Sequence, residues 1–212
     1  MNNVSDWDTE EALIETLKGL FFGNDKTKTG SAYHKIIEGD FNLIKESGIV
    51  YADDIAFSIE QALPALNFRA EHMGMVHEIT VSKEYEVGDG VIQVSGRIDG
   101  LEGIEVRDTK TKYKAIDFQE YLESCQWKFY LDMLQLDTFH YDVFEVKDFQ
   151  ALTGKTPYFL PDVKFMPVES LTCYSYSRLQ TDCHILLNQF MQYIDNRNFY
   201  HLLKQANEPS IF

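Results

Sequence analysis

The chain has 212 residues, 44% of them hydrophobic and 14% aromatic, which is enough to build one domain around a sizeable core. Its 34 acidic residues against 19 basic ones give a formal charge of −15. That balance disfavours broad adhesion to nucleic acid or anionic membrane, so any nucleic-acid role has to rest on a local site, on metal ions, or on both.

Residues 9–22 (TEEALIETLKGLFF) repeat apolar positions at helical spacing, and Gly23 stops that helix. A polar loop is expected from Asn24 to Thr29. No Gly-Lys-Ser/Thr ending makes it a phosphate-binding loop. Ser31 can cap a second helix, with His34 in its first turn, Tyr33, Ile36, Ile37, Phe41 and Ile44 as its apolar stripe, and Gly48 as its end. A third helix is expected from Asp53 to Leu66, capped by Asp53 or Asp54, followed by a connection over 67–75.

From Met75 the period changes to two. Val76–Glu86 and Val91–Ile98 flank Gly88-Asp89-Gly90, a hairpin signal, and the Leu101-Glu102-Gly103 turn leads into Ile104–Thr111. The prediction is a three-stranded antiparallel meander. Phe118 to Leu136 reads as helical with a break near Ser124, and Thr138–Glu145 as a strand. An insertion over Lys147–Pro161 and an extended stretch over Val163–Tyr176 follow, with Pro167 at an edge or bulge. Arg178 to Lys204 closes the chain as an amphipathic helix, with Leu179, Ile185, Leu186, Phe190, Ile194 and Leu202 as its core face. The expected fold class is α/β (α+β), a mixed sheet containing an antiparallel meander and flanked by helices, in one domain. A Rossmann fold is disfavoured, since strict β-α-β alternation and a Gly-rich first turn are missing.

Cys125, Cys173 and Cys183 are widely spaced and odd in number, which argues against a disulfide framework or a structural zinc site. Without a signal-peptide pattern or a long apolar run, the expected setting is a reducing cytoplasm, with no membrane partner.

Asp108-Thr109-Lys110 sits inside a predicted strand, so Asp108 and Lys110 share one face and Thr109 points to the other. A carboxylate and an ammonium on one face, with Asp99 from the neighbouring strand, can form a metal-and-base site. Four features run in order: GSAYHKIIE with His34, GRID with Asp99, DTKT with Asp108 and Lys110, and QWKFY with Gln126 and Tyr130 one helical turn apart. This series, over residues 30–135, resembles the PD-(D/E)XK nuclease superfamily in its RecB-like and phage-exonuclease-like branch. The resemblance implies a restriction-endonuclease-like core and metal-dependent hydrolysis of DNA phosphodiesters, most simply by an exonuclease of phage recombination or repair type. Residues 138–205 would add C-terminal strands and a long helix to that core.

It also implies one or two Mg²⁺ or Mn²⁺ ions held by His34, Asp99, Asp108 and the backbone carbonyl of Thr109, with Glu78 as an additional candidate. Carboxylate oxygens suit Mg²⁺, and an imidazole makes Mn²⁺ acceptable. Lys110 would orient or deprotonate the attacking water or stabilise a phosphate oxyanion, and Gln126 and Tyr130 would position the substrate strand or the Lys110 segment. Residues 105–114 carry four basic residues against two acidic ones, so Lys112 and Lys114 form either a phosphate-contact patch or a solvated strand end. Glu38, one turn beyond His34, can support it. His72 and His77 have no clear partner, and His140 and His184 read as fillers. The cysteine cluster of the iron–sulfur members and the motor motifs of RecB are not in the sequence.

Two alternatives stay open. One is a non-catalytic protein on the same fold that binds a protein partner or mimics DNA through its acidic surface. The other keeps the nuclease but acts on RNA or branched DNA. A homo-oligomer or a phage recombination protein is the expected partner besides DNA.

Overall fold

The computed structural model describes residues 23–152 and 155–202. The helix expected over 9–22, Gly154 and the side chain of Leu202 lie outside the described residues, as does the expected helix end at 203–204.

The first described helix, α1, spans Asp25–Glu38 and starts one and a half turns before the expected Ser31 cap. Asn24 is the cap, its side-chain oxygen accepting from Thr27 N at 3.0 Å, and Asp25 sits favourably in the positive first turn. The polar run Asn24–Thr29 is therefore helix rather than loop. His34 lies in the body of the helix instead of its first turn. Gly30 is tolerated because a Cβ there would stand 2.6 Å from Thr111 Oγ1. The helix approaches the strand carrying Asp108 so closely that only glycine fits. It stops at Gly39, which takes a left-handed φ of 92° and bonds back to Ile36 and Lys35.

The segment read as the end of that helix and the start of the next is a small meander: β1 Asn42–Ile44, β2 Ile49–Ala52 and β3 Ile55–Ser58. Gly48 forms part of a turn rather than a helix end, at φ 63°. Asp53 and Asp54 make the tight β2–β3 turn and are not helix caps; Asp53 adopts φ 46°, a conformation aspartate tolerates better than most residues. Helix α2 follows at Ile59–Glu71, opened by a reciprocal Ser58–Gln61 capping box.

The predicted meander is present as β4 Val76–Val87, β5 Gly90–Glu102 and β6 Glu105–Lys112. A crossover through α3 Phe118–Glu123 and α4 Gln126–Leu134 leads to β7 Thr138–Lys147, parallel to β6. The two helices break at Ser124, as expected; its backbone is extended and its hydroxyl accepts from Gln126 N. The insertion contributes β8 Tyr158–Phe159, parallel to β3, and the extended stretch splits around Pro167 into β9 Lys164–Phe165 and β10 Glu169–Tyr174. The main sheet runs β10-β7-β6-β5-β4 with β9 paired to β7, and the smaller one β1-β2-β3-β8. The last helix, α5, spans Leu179–Arg197 and stops short of the expected Lys204, at Asn198 with a left-handed φ of 55°. Leu179 and Ile194 on it are buried as expected, Ile185 is exposed rather than core, and Cys183 and Leu187 join the buried face.

Both faces of the main sheet are covered. Tyr33, Ile36 and Ile37 of α1 and Phe68 of α2 pack with Phe144 and Val146 of β7 on one side. Trp127, Tyr130 and Leu131 of α4 pack with Ile98, Val106, Tyr141 and Val143 on the other. The fold is thus a mixed α/β arrangement with an antiparallel meander flanked by helices, the layout expected of a restriction-endonuclease-like core. Among the described residues no helix is long and apolar enough to cross a membrane.

Gly96 lies under the ring of Tyr130, where an added Cβ would stand 2.7 Å from Cε1. The ring is rigid and buried, so Gly96→Ala is expected to destabilise the protein by about 1–3 kcal/mol in urea unfolding, while Gly88→Glu, in open space but at φ 59°, loses only its turn preference.

Candidate active site

Strands β5 and β6 pair only at Gly100↔Arg107, Leu101↔Val106 and Glu102↔Glu105, and beyond that they diverge. β6 stays paired with β7 along its whole length. The gap this leaves beside Thr109 is closed by a side chain: Thr109 N donates to Asp99 Oδ2 at 2.8 Å and its hydroxyl donates to the same oxygen at 3.1 Å. Alternation along β6 turns Thr109 towards α1, where its Oγ1 lies 3.3 Å from His34 Nε2. His34 Nδ1 is 3.7 Å from Asp99 Oδ2.

Asp108 and Lys110 point to the opposite face, as their spacing predicts. Asp108 is 1% exposed. Lys110 Nζ stands 2.6 Å from its Oδ2, and Gln126 Nε2 donates to its Oδ1 at 2.9 Å. The Oδ2 atom is buried and makes an ion pair without an aligned hydrogen bond. Burial raises the Asp108 pKa to about 6; Lys110 counteracts this and the charge of Asp99 adds to it. Burial by itself would lower Lys110, but the Asp108 and Asp99 charges outweigh it and hold the ammonium above the ordinary lysine value. Lys110 is therefore a firmly charged donor here. That suits stabilising an oxyanion. His34 is shifted down, mainly by burial, which favours the neutral imidazole.

The other expected residues divide. Tyr130 donates its hydroxyl to Arg97 O at 2.8 Å and packs on Gly96, so it braces β5 from inside the core. Lys112 and Lys114 both turn onto Glu120, Lys114 at 3.0 Å. Glu78 stands opposite Asp99, at the one position where the β4–β5 ladder skips a pair between His77↔Gly100 and Ile79↔Ile98. Its φ is 59°, left-handed backbone inside a strand, and its carboxylate contacts Arg97 Nε at 2.7 Å. Glu38 is held by Lys35 at 2.7 Å.

Two histidines read as partnerless have surroundings after all. His72 Nδ1 meets Glu102 Oε2 at 2.8 Å. His77 lines a tight cleft with His34, Ile37, Glu38, Met75, Asp99 and Thr109. Regular alternation would not have found it, since His77 stands opposite Gly100 and Glu78 stands opposite Asp99. His140 is no mere filler, bonding to Thr172 and Glu105. A larger cleft of about 630 Å³, between α1 and the β2–β3 turn, lies apart from these residues.

In kind, the donors fit a hard divalent cation: the neutral imidazole of His34 and the carboxylates of Asp99 and Asp108, the latter with a buried oxygen that lacks an aligned donor. In arrangement, no three His, Cys, Asp or Glu side chains among the described residues gather around one point. Asp99 is engaged by Thr109, and Asp108 by Lys110 and Gln126. Binding an ion requires these side chains to exchange partners.

No family profile matches this sequence, and no curated protein matches it. Two solved structures share the coarse arrangement. One is SSO0001, with a TM-score of 0.41 and 16% identity over 63% of this chain; the chain spans 59% of that protein. The other is a Eubacterium rectale protein whose exonuclease assignment is itself an inference, with a TM-score of 0.48 and 9% identity over 87% of this chain and 72% of its own. Likenesses this distant assign no activity.

The elevated Asp108 pKa has a stability signature. In the unfolded chain the group titrates near about 3.9. A raised folded pKa contributes stability below that value, and the contribution is lost as pH rises through about 6. Lys110 stays charged throughout this window. Wild-type stability in metal-free buffer is therefore expected to fall between about pH 4 and 6 relative to Asp108→Asn, as read by urea unfolding at each pH.

Proposed function

We propose that the protein is a metal-dependent nuclease that hydrolyses DNA phosphodiesters, acting as an exonuclease. The observation that supports this most directly is the cluster at the β5–β6 divergence. It combines a buried carboxylate whose pKa burial raises, a charged lysine against it, and a second carboxylate and an imidazole across the gap. Structural ion pairs do not require this crowding of Asp99 and Asp108, whereas active sites use it to set protonation.

His34, Asp99 and Asp108 would hold Mg²⁺ or Mn²⁺, with the Thr109 carbonyl and Glu78 as further oxygens. Such an ion, when bound, activates water and neutralises charge on the phosphate. The chain's own residues do the rest. Gln126 fixes one oxygen of Asp108 and so sets the direction of the other. Thr109 fixes Asp99 from both its amide and its hydroxyl. Lys110, released from Asp108, can place its ammonium against a phosphate oxygen where negative charge grows.

A second reading, a non-catalytic nuclease fold that binds a basic protein, is favoured by the lack of convergence of any three donors among the described residues and by the charge of −15. Calorimetric titration with Mg²⁺ and Mn²⁺ separates the two: the nuclease is expected to show saturable binding that Asp99→Ala and Asp108→Ala abolish, and the second reading predicts no binding that depends on these residues.

End-labelled linear DNA incubated with Mg²⁺ or Mn²⁺ is expected to be degraded to mononucleotides, while closed circular DNA survives. Lys110→Ala is expected to lower the rate by about 10²–10³-fold with the circular dichroism unchanged. Equal rates would remove Lys110 from the chemistry. No hydrolysis of any DNA or RNA form by the wild type would overturn the nuclease reading.

A further inference from the structure

We propose that Arg97 binds a backbone phosphate of the nucleic acid and that Glu78 is its exchangeable counter-ion, displaced when the phosphate arrives. This rests on the nuclease reading for the identity of the ligand and extends it to Arg97, which has no role in that reading.

Arg97 and Asp99 are two apart on β5 and therefore share the strand face that looks towards α1 and His34. The Arg97 side chain is 66% exposed, against 29% for Glu78. An arginine at the edge of the site can reach a phosphate next to one held at Asp99. Its planar fork also matches phosphate oxygens better than a lysine does.

The other nearby cations are committed differently. Lys110 lies half-exposed against the buried carboxylate of Asp108, Lys35 is held by Glu38, and Lys112 and Lys114 share Glu120 on the side of the sheet covered by α3. In a chain of charge −15, a phosphate approaching Asp99, Glu38 and Glu78 meets repulsion unless a cation stands at the entrance. Arg97 stands there.

The backbone of Glu78 points the same way. A glutamate with φ 59° inside a strand is unfavourable by about 1–3 kcal/mol, and the ladder skips its pairing with Asp99. The distortion swings the carboxylate onto Arg97 at 2.7 Å. An exposed ion pair of this kind is weak and easily exchanged. A phosphate that takes Arg97 leaves the Glu78 carboxylate free beside Asp99, where an additional oxygen donor is missing from the arrangement. Substrate binding and completion of the donor set are thereby linked through one ion pair.

The test is binding of fluorescently labelled single- and double-stranded DNA in EDTA, by anisotropy over a KCl series. Wild type, Arg97→Ala, Arg97→Lys, Glu78→Gln and the Arg97→Ala/Glu78→Gln double variant are compared. Arg97→Ala is expected to weaken binding and to reduce the salt slope by about 0.7–0.9, and Arg97→Lys to keep the slope while losing affinity. Glu78→Gln is expected to tighten binding by about two- to five-fold, a gain that disappears in the Arg97→Ala background. An unchanged slope and affinity in Arg97→Ala, or a Glu78→Gln gain that persists without Arg97, overturns the proposal. The two claims separate cleanly. Cleavage by the wild type with an Arg97-independent slope sinks the phosphate contact alone, and an Arg97-dependent slope without cleavage sinks hydrolysis alone.

Discussion

The amide of Thr109 lies on a strand edge that its neighbour has left, and a carboxylate takes the place of the missing strand. β5 and β6 part after Gly100↔Arg107, so the β6 donors beyond that pair need other acceptors. Asp99 supplies one for Thr109 and in doing so is drawn into the gap. Residues of opposite sheet faces then come near one another: His34 and Thr109 from the α1 side, Asp108 and Lys110 from the α4 side. A fully paired sheet would keep these two groups apart. The close approach at Gly30, which only a residue without Cβ allows, brings α1 down onto this same edge and His34 with it.

The divergence carries an electrostatic penalty, and the local ion pairs show how it is met. Glu38, Glu78 and Asp108 each have a cation against them, respectively Lys35, Arg97 and Lys110. Asp99 has only neutral donors and a neutral imidazole. Where burial is deepest, at Asp108, the cation does not fully compensate, and the carboxyl retains its proton to an unusually high pH. Such a group is poorly stabilised by its own surroundings and gains from a further positive charge. This is a property of the gap, and it holds whether the ligand is a metal ion or the ammonium of Lys110 alone.

The parts of the fold that were legible in the sequence are those with long, regular patterns. The β4–β5 hairpin has strict alternation and Gly88-Asp89-Gly90 between its arms, and the break at Ser124 has a residue that serves as an extended cap. The segment 40–58 misled because its strands are three or four residues long and β1 is exposed throughout, leaving no period to detect. Ser31 and Asn24 are equally good caps by type. The choice went to Asn24 because Gly30, which looked like a boundary, is demanded by Thr111 across the interface. The face assignments of Asp108, Thr109 and Lys110 followed from alternation alone. What no local pattern contains is partner choice. Lys112 and Lys114 look like free cations until α3 brings Glu120 to them, and Glu78 looks like a strand residue until its backbone turns left-handed.

That turn at Glu78 bears on how the site works. A regular β4 would alternate Glu78 to the face opposite His77 and keep its ladder pairing with Asp99. The left-handed residue breaks the pairing instead and lets the carboxylate reach Arg97. The ladder pairs on either side, His77↔Gly100 and Ile79↔Ile98, hold the local backbone in this unfavourable state, and the weak ion pair with Arg97 forms on top of it. Weak pairs are poor sources of stability but good switches, because a ligand of matching charge displaces them at little cost. The same logic applies to Lys110 and Asp108, though their burial makes that exchange harder and slower. A phosphate would therefore engage Arg97 first, at the surface, and Lys110 second, in the gap. Each exchange leaves a carboxylate in need of a new positive partner, and the Arg97–Glu78 pair on β5 and β4, being the more exposed, gives way more readily than the Lys110–Asp108 pair on β6.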